Sequence, residues 1–207
     1  PPTPPRPASV AEVRERLGAA VDARFAPVFA RARVPYPPER VWLLAFKQER
    51  KLELWAAGGA PVFIRSYRIL AASGRPGPKL REGDLQVPEG IYRVVGLNPA
   101  SAYHLSLRLD YPNDFDRALA RAEGRDNLGG DIFLHGSNVS EGCLAIGDLA
   151  IEELFVLADR VGLGNVRVVI APNDLRRGAP TGVEQPPAWL PDLYATLRTE
   201  LARFRLD

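Results

Sequence analysis

Methionine is absent from the 207 residues, cysteine occurs once, at Cys143, and histidine twice, at His104 and His135. A single cysteine forbids an intrachain disulfide, which excludes a disulfide-stapled scaffold. It also excludes a zinc cage built from several thiolates. Two histidines with no HExxH spacing argue against a metal hydrolase. Chemistry that needs a thiol or an imidazole therefore has very few places to go. Long apolar runs are missing too. The longest, Val41 to Phe46, falls far short of a membrane span. The charge excess is small, 27 basic against 25 acidic residues, too weak for a nucleic-acid footprint. No signal peptide is visible, and the chain starts at Pro1. A leader removed after export, or a trimmed start, fits that beginning.

What is present is ordinary for a globular protein. Apolar residues make up 46% and charged residues 25%, which excludes wholesale disorder. The length suits one domain with extensions and is enough to bury a core. Twenty prolines and eighteen glycines predict a loop-rich body rather than a helical bundle.

Residues 1–7, PPTPPRP, read as an extended, mobile lead-in. Ser9 followed by Glu12 reads as a capping box. Behind it Val10, Val13, Leu17, Val21 and Phe25 mark one face of a helix to about Ala26, with Pro27 placed to kink or split it. The period then changes. Segments 41–47, 51–56 and 61–70 read as consecutive antiparallel strands, 73–90 as a long breaker, and 91–95 and 103–109 as further strands. Asn113 can cap a short helix over 113–123, and 131–135 is a strand. Asp148 can cap a helix that Gly162 ends. Segment 166–171 is a strand, and 191–204 a closing helix with Pro191 just inside its start. This order predicts an α+β, mostly β fold and not a doubly wound one.

The stretch Ile132–Asp148 carries the chemistry. A strand delivers His135 at its end, a polar loop follows, and Cys143 lies eight positions later. A loop of that length can fold the thiol onto the imidazole. A thiol is mostly protonated at neutral pH, and an adjacent imidazole can take that proton to release the nucleophilic thiolate. Backbone N–H groups around a nucleophile can hold an oxyanion, and Gly142 allows the close backbone approach this needs. Residue types alone leave a second reading open: Cys143 as a small buried hydrophobe and His135 as a hydrogen-bonded structural group.

The same stretch resembles the signature of YkuD-type L,D-transpeptidases, a histidine-glycine on a strand followed by a serine-x-glycine-cysteine loop. His135-Gly136 and Ser140-Glu141-Gly142-Cys143 fit it. Upstream, Gly83-Asp84, Pro88-Glu89-Gly90, Tyr92 and Val94 fit the family's earlier motifs. The likeness is closest to the YafK-like subgroup, through Asn98-Pro99, Ser101, Tyr103-His104-Leu105-Ser106, Tyr111-Pro112-Asn113, Asp116-Arg117 and Cys143-Leu144-Ala145-Ile146 with Asp148. Glu141, Leu144 and Ala145 differ from the commoner transpeptidase form and agree with that subgroup.

The resemblance covers about residues 40–172 and implies a mixed or antiparallel β-sandwich core with short helices, flanked by an N-terminal and a C-terminal helix. It divides the chain into a lead-in with helix (1–39), a catalytic domain (40–172) and a C-terminal loop and helix packed on it (173–207). It implies a peptidoglycan-active cysteine enzyme that needs no cofactor and no metal. Cys143 would be the nucleophile and His135 the base. The Gly136 carbonyl would orient the imidazole, and the N–H groups of Gly142 and Cys143 would hold the oxyanion. Arg117, Tyr103, His104 and Ser140 would meet the substrate. Arg117 has a rival reading as a local ion pair with Asp114 or Asp116, His104 as a structural histidine, and Tyr103 as a packing residue. The implied location is the periplasm, and the partner is a peptidoglycan stem peptide with or without a linked lipoprotein. The implied reaction is hydrolytic release of that lipoprotein. The alternatives are crosslinking or protein attachment by transpeptidation, and a silent peptidoglycan-binding module.

Overall fold

The computed structural model describes residues 9–205, so the PPTPPRP lead-in lies outside the described residues. Helix α1 is Val10–Ala32. Ser9 starts it, its hydroxyl accepting from the Glu12 N–H at 3.1 Å. The expected split at Pro27 does not occur, and the helix continues to Ala32, followed by a left-handed Arg33. Tertiary packing overrides the lost hydrogen bond there: Phe25 and Phe29, either side of Pro27, stack edge to face at 5.4 Å and are fully buried.

Among the described residues, nine strands form one mixed sheet in the order β3-β2-β1-β9-β5-β6-β7-β8-β4. They are β1 Arg40–Phe46, β2 Lys51–Ala57, β3 Val62–Arg68, β4 Ala71–Ala72, β5 Gly90–Asn98, β6 Ser106–Leu109, β7 Phe133–His135, β8 Leu144–Ala145 and β9 Val166–Ala171. The pairs β1–β9 and β7–β8 are parallel and the rest antiparallel. Strand β5 joins two halves of the sheet. Its first residues pair with β9, the register shifts between Val94 and Gly96, and its later residues pair with β6. A bulge of this kind bends a strand and increases its twist, and here the sheet curls.

Alternation along the strands builds two cores. In β1, Val41, Leu43 and Ala45 face a cluster shared with α1, Leu107, Leu134 and Leu144, while Trp42, Leu44 and Phe46 face the opposite way. Helix α3 (Asp148–Val161) joins the first cluster, and α4 (Leu190–Leu201) covers the second. Burial on both faces explains why 41–46 reads as a continuous apolar run. Among the described residues, no helix is long and apolar enough to cross a membrane.

Helix α2 is Asp114–Ala122, started by a full capping box in which Asn113 and Asp116 satisfy each other's backbone N–H groups. Burial pushes the Asp116 carboxyl up to about 6, against hydrogen bonds from the Asn113 N–H and Tyr92 hydroxyl that favour the charge. Its folded value lies above the ordinary 3.8, so the native state holds the extra proton between those values. Stability from this group is therefore present at pH 4 and is lost as pH rises toward 6.5. Relative to Asp116→Asn, the wild-type protein should lose on the order of 2 kcal/mol over that interval. Urea unfolding of both proteins at pH 4 and pH 6.5 checks this, and a pH-independent difference would contradict it.

Two expected elements change. Residues 103–105 are a turn rather than the start of β6, with His104 at φ 73°. The cap of α3 is Gly147, not Asp148, whose carboxylate turns to the loop after β7 instead. The short strands β4 and β8, two residues each, carry no period long enough to read in the sequence.

Candidate active site

The parallel ladder between β7 and β8 sets the site. Leu134 pairs with Leu144 and His135 with Ala145. Leu134 and Leu144 point into the first core. Alternation then puts His135 and Cys143, one step before the ladder, together on the opposite face. Gly142 precedes the thiol at φ 87°, a left-handed conformation that favours glycine.

His135 is buried, with Nδ1 2.6 Å from the Gly136 carbonyl oxygen. A carbonyl only accepts, so Nδ1 carries the hydrogen and Nε2 keeps its lone pair. Tyr103 stacks on the imidazole at 4.6 Å and 28°. Burial pushes the His135 pKa down, although its bond to Gly136 acts the other way.

The Cys143 sulfur accepts from the Phe133 N–H at 3.4 Å and lies 3.7 Å from the Asp131 carbonyl oxygen, toward which the thiol hydrogen points. Burial pushes the thiol pKa up, and nearby Asp131 adds to this, while the Phe133 N–H and Lys79 act against it. Both groups of the pair therefore rest neutral. Among the described residues no hydrogen bond joins Cys143 to His135. The sheet brings the two to one face, and the thiol is held by the β7 backbone rather than by the imidazole.

The surrounding loop is pinned at three points. Ser140 Oγ donates to the Cys143 carbonyl. Asp148 Oδ1 accepts from the Ser137 N–H at 2.7 Å, where Ser137 is left-handed at φ 63°. The Gly142 N–H donates to Ser73 Oγ, which in turn donates to the Leu85 carbonyl at 2.7 Å. The expected oxyanion donor Gly142 is thus occupied by a hydroxyl from 69 residues upstream.

The side chains of His104 and Arg117 are engaged elsewhere. His104 Nε2 sits 2.9 Å from Glu152 Oε1 on α3, so its side chain joins the α3 surface and not the thiol. The positive φ of its turn re-aims it, where the sequence pattern suggested a strand. Arg117 is half exposed, 4.0 Å from Asp114 on its own helix, and lines a hollow with Arg121 and Arg125. Among the described residues no hydrogen bond or ion pair joins it to the His135–Cys143 pair, where the resemblance implies a substrate contact. Tyr103 reaches the site as a cover over the imidazole.

Ser73 and Asp148 are the residues that local reading missed as supports. Asp148 stands in the motif after Cys143 but reads locally as a helix cap, whereas Ser73 has no local signal at all. A Cβ on Gly136 would stand 2.6 Å from Asp148 Oδ1 and 2.7 Å from the Tyr103 carbonyl. Asp148 thus fixes the loop whose carbonyl holds the imidazole. Asp148→Ala is expected to lower kcat about tenfold or more with little change in KM, and Asp148→Asn to retain most of the rate, because an amide oxygen can still accept from Ser137. Equal rates in Asp148→Ala and wild type would remove the brace.

Residues 40–170 match the YkuD family, the L,D-transpeptidase catalytic domain. The chain is 38% identical over 118 residues to the Escherichia coli K12 protein YafK, whose name gives it as a candidate L,D-transpeptidase. That match covers 56% of this chain and 46% of the relative, so the chain spans about half the length of the curated relatives it matches. Among solved structures, the helical cell shape determining protein Pgp2 of Campylobacter jejuni shares the fold, with a TM-score of 0.52 and 19% identity over 80% of this chain and 70% of that one. Its K307A mutant gives the same TM-score at 21% identity, over 80% and 55%.

Proposed function

The chain belongs to the YkuD family of L,D-transpeptidase catalytic domains, and from that premise we propose that Cys143 carries acyl transfer at diaminopimelate of a peptidoglycan stem peptide, in the periplasm. The observation that carries the reading is the His135 tautomer. With Nδ1 donating to Gly136, Nε2 keeps the lone pair that can take a thiol proton.

The steps use this chain's own groups. The thiol turns from the Asp131 carbonyl to Nε2. Its proton passes to Nε2 as the sulfur attacks the carbonyl of the L-centre, so the two resting neutral groups become an ion pair only during attack. The oxyanion takes the N–H groups of Cys143 and Gly142, the latter exchanging Ser73 Oγ for it. The C–N bond then breaks, the imidazolium gives its proton to the departing amine, and a thioester remains. Water attacks the thioester, His135 takes its proton, and Cys143 leaves and recovers it. An amine in place of water would complete a transpeptidation instead.

Likeness to YafK-like proteins supports hydrolysis of the bond between peptidoglycan and a covalently attached lipoprotein as the specific reaction. Digestion of purified muropeptides with and without an attached lipoprotein peptide tests it. Release of the lipoprotein peptide with a free tripeptide end is expected. Crosslinked dimers would show amine acceptance, and unchanged substrates with no acyl adduct would leave a binding module.

A further inference from the structure

The Gly142–Ser73 contact leads out of the catalytic loop into a hollow of about 190 Å³ that Ser73 lines from one side. Its floor is Lys47 and Glu89. Lys47 donates to the Gly77 and Val87 carbonyls at 2.7 and 3.0 Å and to Glu89 Oε1 at 2.9 Å, which uses all three of its hydrogens. The second Glu89 oxygen accepts from Tyr194 Oη at 2.8 Å. That carboxylate is therefore neutralised and satisfied. Arg50, from the β1–β2 turn, and Arg75, beside Ser73, line the same hollow. Neither guanidinium has an ion pair or a side-chain hydrogen bond among the described residues. Several other arginines that edge a hollow are paired: Arg24 and Arg65 with Glu153, Arg176 with Glu53 and Asp174, Arg125 with Glu123.

We propose that this hollow is a carboxylate subsite, in which Arg50 and Arg75 hold a carboxylate of the stem peptide while its reacting carbonyl lies at Cys143. This rests on the stem-peptide reading above. Two unpaired guanidiniums beside a balanced floor leave a net positive site, and their forks match a carboxylate bidentately. Ser73 stands between that site and the Gly142 N–H, so an occupied hollow lies one hydrogen-bonded residue from the oxyanion donor. The position replaces the role expected of Arg117. The carboxylate has two sources, the α-carboxylate of the residue beyond the scissile bond and the carboxylate at the D-centre of diaminopimelate.

The test is equilibrium binding, which does not require turnover. A diaminopimelate-containing tetrapeptide is titrated calorimetrically into the Cys143→Ala protein and into the same protein carrying Arg50→Gln and Arg75→Gln. Charge-assisted hydrogen bonds of this kind predict a Kd about 10- to 100-fold weaker in the latter. Lysine at both positions should recover only part of the loss, because it keeps charge without the fork. Thermal melting confirms that each variant is folded. Tetrapeptides amidated at the terminal carboxylate or at the D-centre identify the source: the one that binds the Arg-containing protein as weakly as the parent peptide binds the glutamine variant has lost the recognised group. An equal Kd with and without the arginines overturns the subsite while leaving the stem-peptide reading intact. Absence of binding to the Cys143→Ala protein overturns the subsite together with that reading.

Discussion

The Cys143→Ala protein is expected to fold as the wild type does and to turn over no stem peptide. This thiol is the sole one in the chain, and it sits on the sheet face of a tautomer-fixed imidazole. The change removes one sulfur whose partners are the Phe133 N–H and the Asp131 carbonyl. Leu134 and Leu144, which fill the core beneath, are untouched, so the loss should stay well below the ~2–5 kcal/mol of a core leucine truncation. The readouts are a thermal melt, product formation from muropeptides, and intact mass after carbapenem exposure. The wild-type protein should gain the mass of the acyl group and the variant none. Turnover at the wild-type rate in Cys143→Ala would end the covalent mechanism.

His135→Ala should cost about 10²–10⁴ in kcat/KM, the usual worth of a general base. His104→Ala should cost little, because the partly exposed contact between His104 and Glu152 is worth about 0–1 kcal/mol and does not reach the thiol. A pH profile separates base from scaffold. The base must be neutral to act, and burial holds His135 below the ordinary 6.5. Activity should therefore rise with pH along an acid limb centred below 6.5, and that limb should vanish from whatever rate remains in His135→Ala. A larger loss in His104→Ala than in His135→Ala would exchange the two assignments.

The sequence alone determined what is local or periodic. Alternation and composition marked the long strands at 41–47, 51–56 and 166–171, and the Asn113 and Gly162 helix boundaries followed from capping chemistry within a few residues of chain. The scarcity of thiol and imidazole confined the chemistry to Cys143, His135 and His104, and the motif order pointed to the family. What the tertiary structure decided depends on contacts between segments far apart in the chain. Pro27 is carried inside α1 because Phe25 and Phe29 are buried around it. His104 is turned to Glu152 by a left-handed turn that no period announces. Asp148 braces Ser137 rather than capping α3, because the curl of the sheet brings β7 and the start of α3 together. Ser73 reaches Gly142 across 69 residues, and Arg50 and Arg75 come to one hollow from separate turns. Short-range propensity is written in neighbouring residues. Such a meeting depends on the bend of β5 and the pairing of two-residue strands, whose energy lies in the packed sheet as a whole and not in any one segment.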